Sequence, residues 1–144
     1  MFEIEERLEN KGITLDAIVD AAMGLYVSHG MPEEQASMNI KAKIQKYLKD
    51  PNVSYLLIGA VLLEEELYEK RKNSEIAEEL VFLLSDEIIG IAIAECIGGT
   101  YAQFEFPRYD QKKPGILATR GPFPDDAVAG LIAGCTSRLY SECV

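Results

Sequence analysis

Residues 53–63 read VSYLLIGAVLL, a stretch that would be apolar on every side of a helix. It is too short to cross a membrane, which takes about 20 apolar residues, so it indicates a buried helix. Elsewhere apolar residues recur mainly at helical spacing, and strand-like alternation is weak. We therefore expect an all-α fold, a single domain over residues 1–144 with six to seven helices. One central apolar helix, the fourth or the sixth, would be surrounded by the others.

Caps, prolines and glycines divide the remaining chain into predicted helices. Residues 100–123 contain several prolines, glycines and aromatic residues and predict a long irregular segment, with a weak extended pattern over 101–106. In the last helix, Gly130, Gly134 and nearby alanines would permit close helix contacts. The predicted helices cover roughly 2–10, 14–29, 32–49, 53–72, 74–84, 86–97 and the residues from 124 onward.

The charge balance restricts the partners. The chain has 144 residues, of which 14 are basic and 24 acidic, for a net charge of −10. A field of this sign repels nucleic-acid backbones and anionic lipid headgroups, so we expect neither as a partner. A small anionic substrate requires a local reversal of the field, which a bound divalent cation would provide.

The compartment is predicted from the thiols and the N-terminus. Cys96, Cys135 and Cys143 are scattered and odd in number, as is typical of a reducing compartment. The N-terminal residues 1–9 are acidic and lack the apolar run of a signal peptide, and no stretch is long enough for a transmembrane anchor. We expect a cytoplasmic protein.

Two acidic pairs interrupt apolar sequence. Asp86-Glu87 and Asp125-Asp126 are each flanked by hydrophobic residues. Burying a carboxylate is costly unless it is paired or binds a metal, and Mg²⁺ prefers oxygen ligands. Both pairs are also predicted in the first turn of a helix, where acids are favoured for electrostatic reasons alone. The residues taken singly leave a metal site and simple capping open.

The segment between the pairs adds candidates for phosphate binding. Asp110 is a candidate metal ligand or base, and Lys113 is a candidate phosphate-binding charge on a Pro-Gly turn. Arg108 and Arg120 are further candidates for binding an anion, and Lys112 is better explained as a solvated charge. The single histidine, His29, has no supporting residues for phosphohistidine chemistry.

Three segments, in order, resemble the phosphatidylglycerophosphatase A family and its soluble relatives, which include archaeal α-ribazole phosphatases. Residues 86–90 (DEIIG) are similar to the family's Asp-Glu-Phe/Ile-x-Gly motif. Residues 106–116 (FPRYDQKKPGI) resemble its Phe-x-x-x-Asp-x-x-Lys-Pro pattern, and residues 123–130 (FPDDAVAG) resemble Asp-Asp-x-x-Ala-Gly. The match covers roughly the C-terminal half of the chain.

The resemblance implies Mg²⁺-dependent hydrolysis of a phosphomonoester, with Mn²⁺ as the alternative ion. The Gly-rich N-terminal motif and the membrane helices of the membrane-bound members are missing, which favours a soluble substrate such as α-ribazole 5′-phosphate. Our assignments place catalysis on Asp110, Lys113 and Asp126 and substrate binding on Lys113, Arg108 and Arg120. The predicted metal ligands are Asp86, Glu87, Asp110, Asp125 and Asp126.

Several alternatives remain at this point. Phosphatidylglycerophosphate is the second candidate substrate, and direct attack by water is favoured over a covalent aspartyl intermediate because no activated nucleophile is marked. A non-catalytic metal-binding interaction module and a plain helical scaffold are the rival functions. The small-residue helix faces and the acidic surface are compatible with a homodimer.

Overall fold

The computed structural model describes residues 3–72 (side chains to residue 70) and 83–142. Over these ranges the chain forms a single all-helical domain, as predicted. The helix predicted over 74–84 lies, up to residue 82, outside the described residues. The elements are α1 (Ile4–Glu9), α2 (Leu15–Met23), α3 (Glu33–Leu48), α4 (Pro51–Lys72), α5 (Ser85–Gly98), α6 (Thr100–Lys112), a 3₁₀ helix (Gly115–Ala118) and α7 (Pro122–Glu142).

The last helix, α7, lies in the middle of the domain. It is buried along most of its length and packs against α2, α3, α4, α5, α6 and the 3₁₀ helix. We had expected the fourth or sixth predicted helix there. Those helices, α4 and α5, instead leave apolar side chains in solvent: Tyr55 of α4 is 58% exposed and Ile88 of α5 is 63% exposed. An apolar sequence does not by itself separate a central helix from a peripheral one.

Two glycines bring α5 and α7 into backbone contact. A Cβ atom on Gly130 would overlap the carbonyl group of Gly90, and a Cβ on Gly90 would lie 2.5 Å from the carbonyl oxygen of Asp126. One turn further along α7, a Cβ on Gly134 would lie 2.6 Å from Cβ of Ile97. The expected close helix contacts are therefore confirmed. Because these small residues pack inside the chain, they no longer support a homodimer.

The prediction of an irregular segment over 100–123 was wrong for its first half. Residues 100–112 form α6 even though Pro107, which cannot donate a backbone hydrogen bond, lies inside the helix. Ala102, Phe106 and Tyr109 follow helical spacing and are buried. The Tyr109 hydroxyl also donates a hydrogen bond to the Ala22 carbonyl at 2.8 Å. Tertiary packing of this apolar stripe thus outweighs the local cost of the proline.

One face of α3 is buried. Its core residues are Ala36, Ile40, Ile44 and Leu48, at a regular spacing of four. Met38, although apolar, lies on the opposite side of this helix and is 71% exposed. In the described part of the chain no helix is both long enough and apolar enough to cross a bilayer.

Candidate functional site

The N-termini of α5 and α7 and the C-terminus of α6 surround a cavity of about 480 Å³, which we call the acidic cavity. Its remaining wall is the segment between the 3₁₀ helix and α7, including Thr119 and Gly121. Six of the residues selected from the sequence line it together: Asp86, Glu87, Asp110, Lys113, Asp125 and Asp126.

The glycine crossing explains why the two acidic pairs meet. Gly90 follows Asp86 by four residues, and Gly130 follows Asp126 by four residues. Each aspartate therefore lies about one helical turn before the backbone contact of Gly90 with Gly130. Because the backbones touch there, the two aspartates are held at the same end of the α5–α7 interface.

Lys113 is the positive charge of the acidic cavity. It follows the end of α6 in the left-handed conformation (φ 47°), and its amide donates to the carbonyl of Tyr109 at 2.9 Å. Its Nζ lies 3.2 Å from Oδ1 of Asp110 and 3.5 Å from Oδ1 of Asp126. Partial burial lowers the pKa of Lys113, but these two carboxylates outweigh that effect and raise it. The ammonium charge is therefore retained.

Asp126 has the least exposed carboxyl group of the cavity, with 2% of the residue accessible. Burial, together with hydrogen bonding and repulsion from Asp110 and Asp86, raises the pKa of Asp126 to about 9. Burial also raises the pKa of Asp125, to about 6, although its Oδ1 accepts a hydrogen bond from the Arg120 amide at 3.0 Å. When ionised, the carboxylates that line the acidic cavity carry more negative charge than the single ammonium group of Lys113 neutralises.

The donor atoms suit a hard cation. The acidic side chains supply carboxylate oxygens, the ligand type that Mg²⁺ and Mn²⁺ prefer, and Oδ1 of Asp86 is buried without a hydrogen-bond partner within the described ranges 3–72 and 83–142. However, among the described residues no three acidic, histidine or cysteine side chains are arranged around one point as a coordination shell. The chemistry of the cavity fits a divalent ion, whereas the side-chain positions are not those of a closed metal site.

The two predicted anion-binding arginines lie elsewhere. Arg108 is absent from the cavity lining: it pairs with Glu105 at 2.5 Å and donates to the Leu25 carbonyl at 2.6 Å. Arg120 contributes its backbone amide to Asp125, but its side chain lines a separate cavity with Lys11. Neither guanidinium is placed to bind an anion in the acidic cavity.

His29 lies outside the acidic cavity as well. Its ring packs against the rings of Tyr26 and Tyr140, with centroids 5.4 and 4.9 Å away. Nδ1 lies 3.0 Å from the Val27 carbonyl oxygen. The only histidine of the chain therefore packs against aromatic rings and lies apart from the carboxylates of the acidic cavity.

Glu64 on α4 is a neighbour of the site that the sequence analysis missed. It is 8% exposed, and its Oε2 accepts a hydrogen bond from the amide of Phe123 in the first turn of α7. A Cβ on Gly121, whose φ is +104°, would overlap the Glu64 carboxylate, so this approach requires glycine. In sequence Glu64 lies in the charged run Glu64-Glu65-Glu66. Its burial could have been inferred from sequence, because helical spacing places Glu64 on the same face of α4 as Leu57 and Val61, which are buried.

The class of this protein follows from its fold and site, and its family follows from a relative in sequence. The fold and site define a helical protein with an acidic, lysine-bearing cavity. The chain is 40% identical over 126 residues to a protein of Methanocaldococcus jannaschii named Uncharacterized protein MJ1330, covering 85% of this chain and 99% of that protein. The chain belongs to the same family as MJ1330. No family model matches the chain, and no solved structure matches it.

Proposed function

We propose that this chain is a Mg²⁺-dependent phosphomonoesterase, with Mn²⁺ as the alternative ion, from the soluble branch of the phosphatidylglycerophosphatase A-like proteins. The observation that carries the proposal is the position of the Lys113 ammonium, 3.2 Å from Asp110 and 3.5 Å from Asp126, in a cavity that also contains Asp86 and Asp125. Carboxylates to attract a cation and an ammonium to attract a phosphate oxygen are thereby adjacent.

The electrostatics of the carboxylates support binding of a cation in the acidic cavity. The pKa of Asp126 is raised because its buried carboxyl lies beside Asp110 and Asp86, so full ionisation at neutral pH needs more positive charge than Lys113 supplies. Oδ1 of Asp86 is a buried oxygen to which no described residue donates a hydrogen bond. To share one ion, these side chains would have to rearrange, because among the described residues they do not form a coordination shell.

The chain's own groups would then divide the chemistry. Lys113 would bind a phosphoryl oxygen, and Asp86, Glu87 and Asp125 would contribute ligands. Asp110 or Asp126, whichever is not bound to metal, would accept the proton of the attacking water. The chemistry supplied by bound Mg²⁺ is charge neutralisation and activation of water.

The proposed substrate is a small phosphorylated molecule in solution, with α-ribazole 5′-phosphate first and phosphatidylglycerophosphate second. The ranking rests on the family resemblance of the three motifs and on the net charge of −10, which opposes approach to anionic lipid surfaces. A cytoplasmic location is part of the same proposal and rests on the sparse cysteines. A homodimer is retained as a proposal that the acidic surface permits.

The decisive experiment measures phosphate release from p-nitrophenyl phosphate, α-ribazole 5′-phosphate and a soluble phosphatidylglycerophosphate analogue, each with Mg²⁺ and with EDTA. Asp126→Asn should abolish release. Asp16→Asn is the matched control, because Asp16 also lies in the first turn of a helix but is solvent-exposed. Metal-dependent release that survives in Asp16→Asn and disappears in Asp126→Asn is the expected result.

The rival functions predict different outcomes of the same experiment. A metal-binding interaction module would be stabilised by Mg²⁺ but would release no phosphate from any substrate. A helical scaffold whose acids only favour helix ends would show neither effect, and Asp126→Asn would resemble Asp16→Asn.

A further inference from the structure

One side of α4 leaves apolar residues in solvent. Leu62 and Leu63 are 48% and 43% exposed, Tyr55 is also exposed, and Leu56 is partly buried. Helical spacing places them around Gly59 on a single side of the helix. We call this side the α4 stripe; its members are Tyr55, Leu56, Gly59, Leu62 and Leu63. Residues 51–63 include no charged residue, although the net charge of the chain is −10. An exposed apolar surface of this kind is typical of an association site.

Packing within a single chain does not explain Gly59. It lies in the interior of a 22-residue helix, where glycine is less favourable than alanine. Apart from the adjacent helix backbone, a Cβ at this position would have no heavy atom within 4 Å among the described residues. Gly90 and Gly130, by contrast, make a backbone contact inside the chain. A second helix crossing at Gly59 would supply the reason, because glycine lets two backbones approach closely.

The α4 stripe is complementary to itself. Leu62 and Leu63 follow Gly59 by three and four residues, and Leu56 and Tyr55 precede it by the same intervals. If two copies of α4 cross antiparallel on a two-fold axis at Gly59, Leu63 meets Tyr55 of the second copy and Leu62 meets its Leu56. The same patch then serves both copies, as a two-fold interface requires.

The polar residues at the ends of the α4 stripe fit the same arrangement. Asn52 precedes and Glu66 follows Gly59 by seven residues, and both are exposed. In the two-fold crossing the Glu66 carboxylate faces the Asn52 amide of the second copy, which can donate a hydrogen bond to it. An acidic group of one copy thus faces an amide rather than another acidic group, which would repel it.

We propose that the α4 stripe binds a second copy of this chain, with two antiparallel α4 helices crossing at Gly59. From residue 52 to residue 66 the contact extends about 21 Å at 1.5 Å per residue, the scale of a small, reversible interface. The acidic cavity is lined by other elements, and Glu64, which contacts the first turn of α7, lies on the buried side of α4. This inference therefore does not depend on the proposed phosphatase function.

Sedimentation velocity over a range of protein concentrations measures the dissociation constant of the dimer, which we expect on the order of micromolar for a contact of this size. Leu63→Glu should raise this constant by about tenfold or more, because a two-fold interface buries the new carboxylate twice. Met38→Glu is the matched control: it adds the same charge at an exposed apolar position of α3, outside the α4 stripe, and should leave the constant unchanged. Circular dichroism checks that both variants are folded.

Gly59→Ala separates association from the stability of a single chain. In dilute, monomeric protein the substitution should not weaken folding, because alanine is the better helix former. In the dimer two methyl groups would meet at the crossing and raise the dissociation constant by about fivefold or more. A monomer at every concentration would overturn the inference, and another segment or a different protein would then have to cover the α4 stripe. A dimer that Leu63→Glu weakens no more than Met38→Glu, or that Gly59→Ala leaves as tight as the wild type, would overturn it as well.

Discussion

Gly130 of α7 lies directly on the backbone of Gly90 of α5, so closely that a Cβ on Gly130 would overlap the Gly90 carbonyl. This contact lies one turn from Asp86 and from Asp126, and it holds the two acidic pairs at one end of the helix pair. The arrangement of the candidate site therefore depends on two residues that have no functional group.

Gly130→Ala should destabilise the protein. Its methyl group meets a backbone carbonyl, which cannot rotate away, and overpacking of this kind costs about 1–3 kcal/mol or more. Gly59→Ala is the matched control in α4: its Cβ would meet nothing within 4 Å, so the higher helix propensity of alanine should stabilise by up to about 1 kcal/mol. Urea unfolding measures both. Equal effects of the two substitutions would refute the tight crossing.

Without metal, stability should fall as pH rises. The pKa of Asp126 is raised from about 3.8 to about 9, so between these values the folded protein holds a proton that the unfolded chain has released. The free energy of unfolding then decreases with pH, by at most about 1.4 kcal/mol per pH unit for one proton. Thermal unfolding in EDTA across this range, with Asp126→Asn, tests the prediction. The variant should show a flatter profile, and an unchanged slope would contradict the assignment.

Mg²⁺ should raise the melting temperature through mass action. A ligand at one hundred times its dissociation constant stabilises the folded state by about 2.7 kcal/mol. Asp86→Asn should reduce the response, because Oδ1 of Asp86 is a buried oxygen that no residue in the described part of the chain satisfies. Differential scanning fluorimetry with a Mg²⁺ titration measures it, with Asp16→Asn as the control. The same shift in Asp86→Asn and wild type would remove Asp86 from the proposed ligand set.

Two substitutions at Lys113 separate the role of its ammonium charge in activity from the cost of its left-handed backbone conformation. Lys113→Gly and Lys113→Ala both remove the ammonium group and should both abolish phosphate release. Glycine should be the more stable of the two by about 1 kcal/mol, because Lys113 has a φ of 47°. Activity retained in either variant would show that the ammonium is dispensable.

Glu64→Ala should destabilise the N-terminus of α7, because the Glu64 carboxylate accepts a hydrogen bond from the amide of Phe123 in a buried position. Leaving a buried donor without its acceptor costs about 1–3 kcal/mol. Glu66→Ala, at an exposed position two residues away, should change stability by no more than about 0.5 kcal/mol. Chemical denaturation of the two variants distinguishes a buried structural carboxylate from a solvated one.

The sequence by itself determined the helical class and most of the candidate site. Helical periodicity and caps are local properties, so α1, the start of α2 and the acidic N-termini of α5 and α7 were predictable, whereas the helix predicted over 14–29 ends at Met23. The acidic pairs were conspicuous because charge inside apolar sequence is costly. Asp86, Glu87, Asp110, Lys113, Asp125 and Asp126 were all chosen on such grounds or by resemblance, and all line one cavity.

Only the tertiary structure decided which helix is central, whether residues 100–112 are helical and which charges meet. The helical spacing of Ala102, Phe106 and Tyr109 competes in sequence with the helix-breaking signal of Pro107, and burial against α7 decides between them. Arg108 and Arg120 are basic residues near the motifs in sequence, yet their side chains are held by Glu105 and beside Gly12. Glu64 contacts the first turn of α7 from a helix far away in sequence. Proximity of this kind arises from packing between helices, above all at Gly90 and Gly130. Local sequence patterns contain no information about the distance between separate segments.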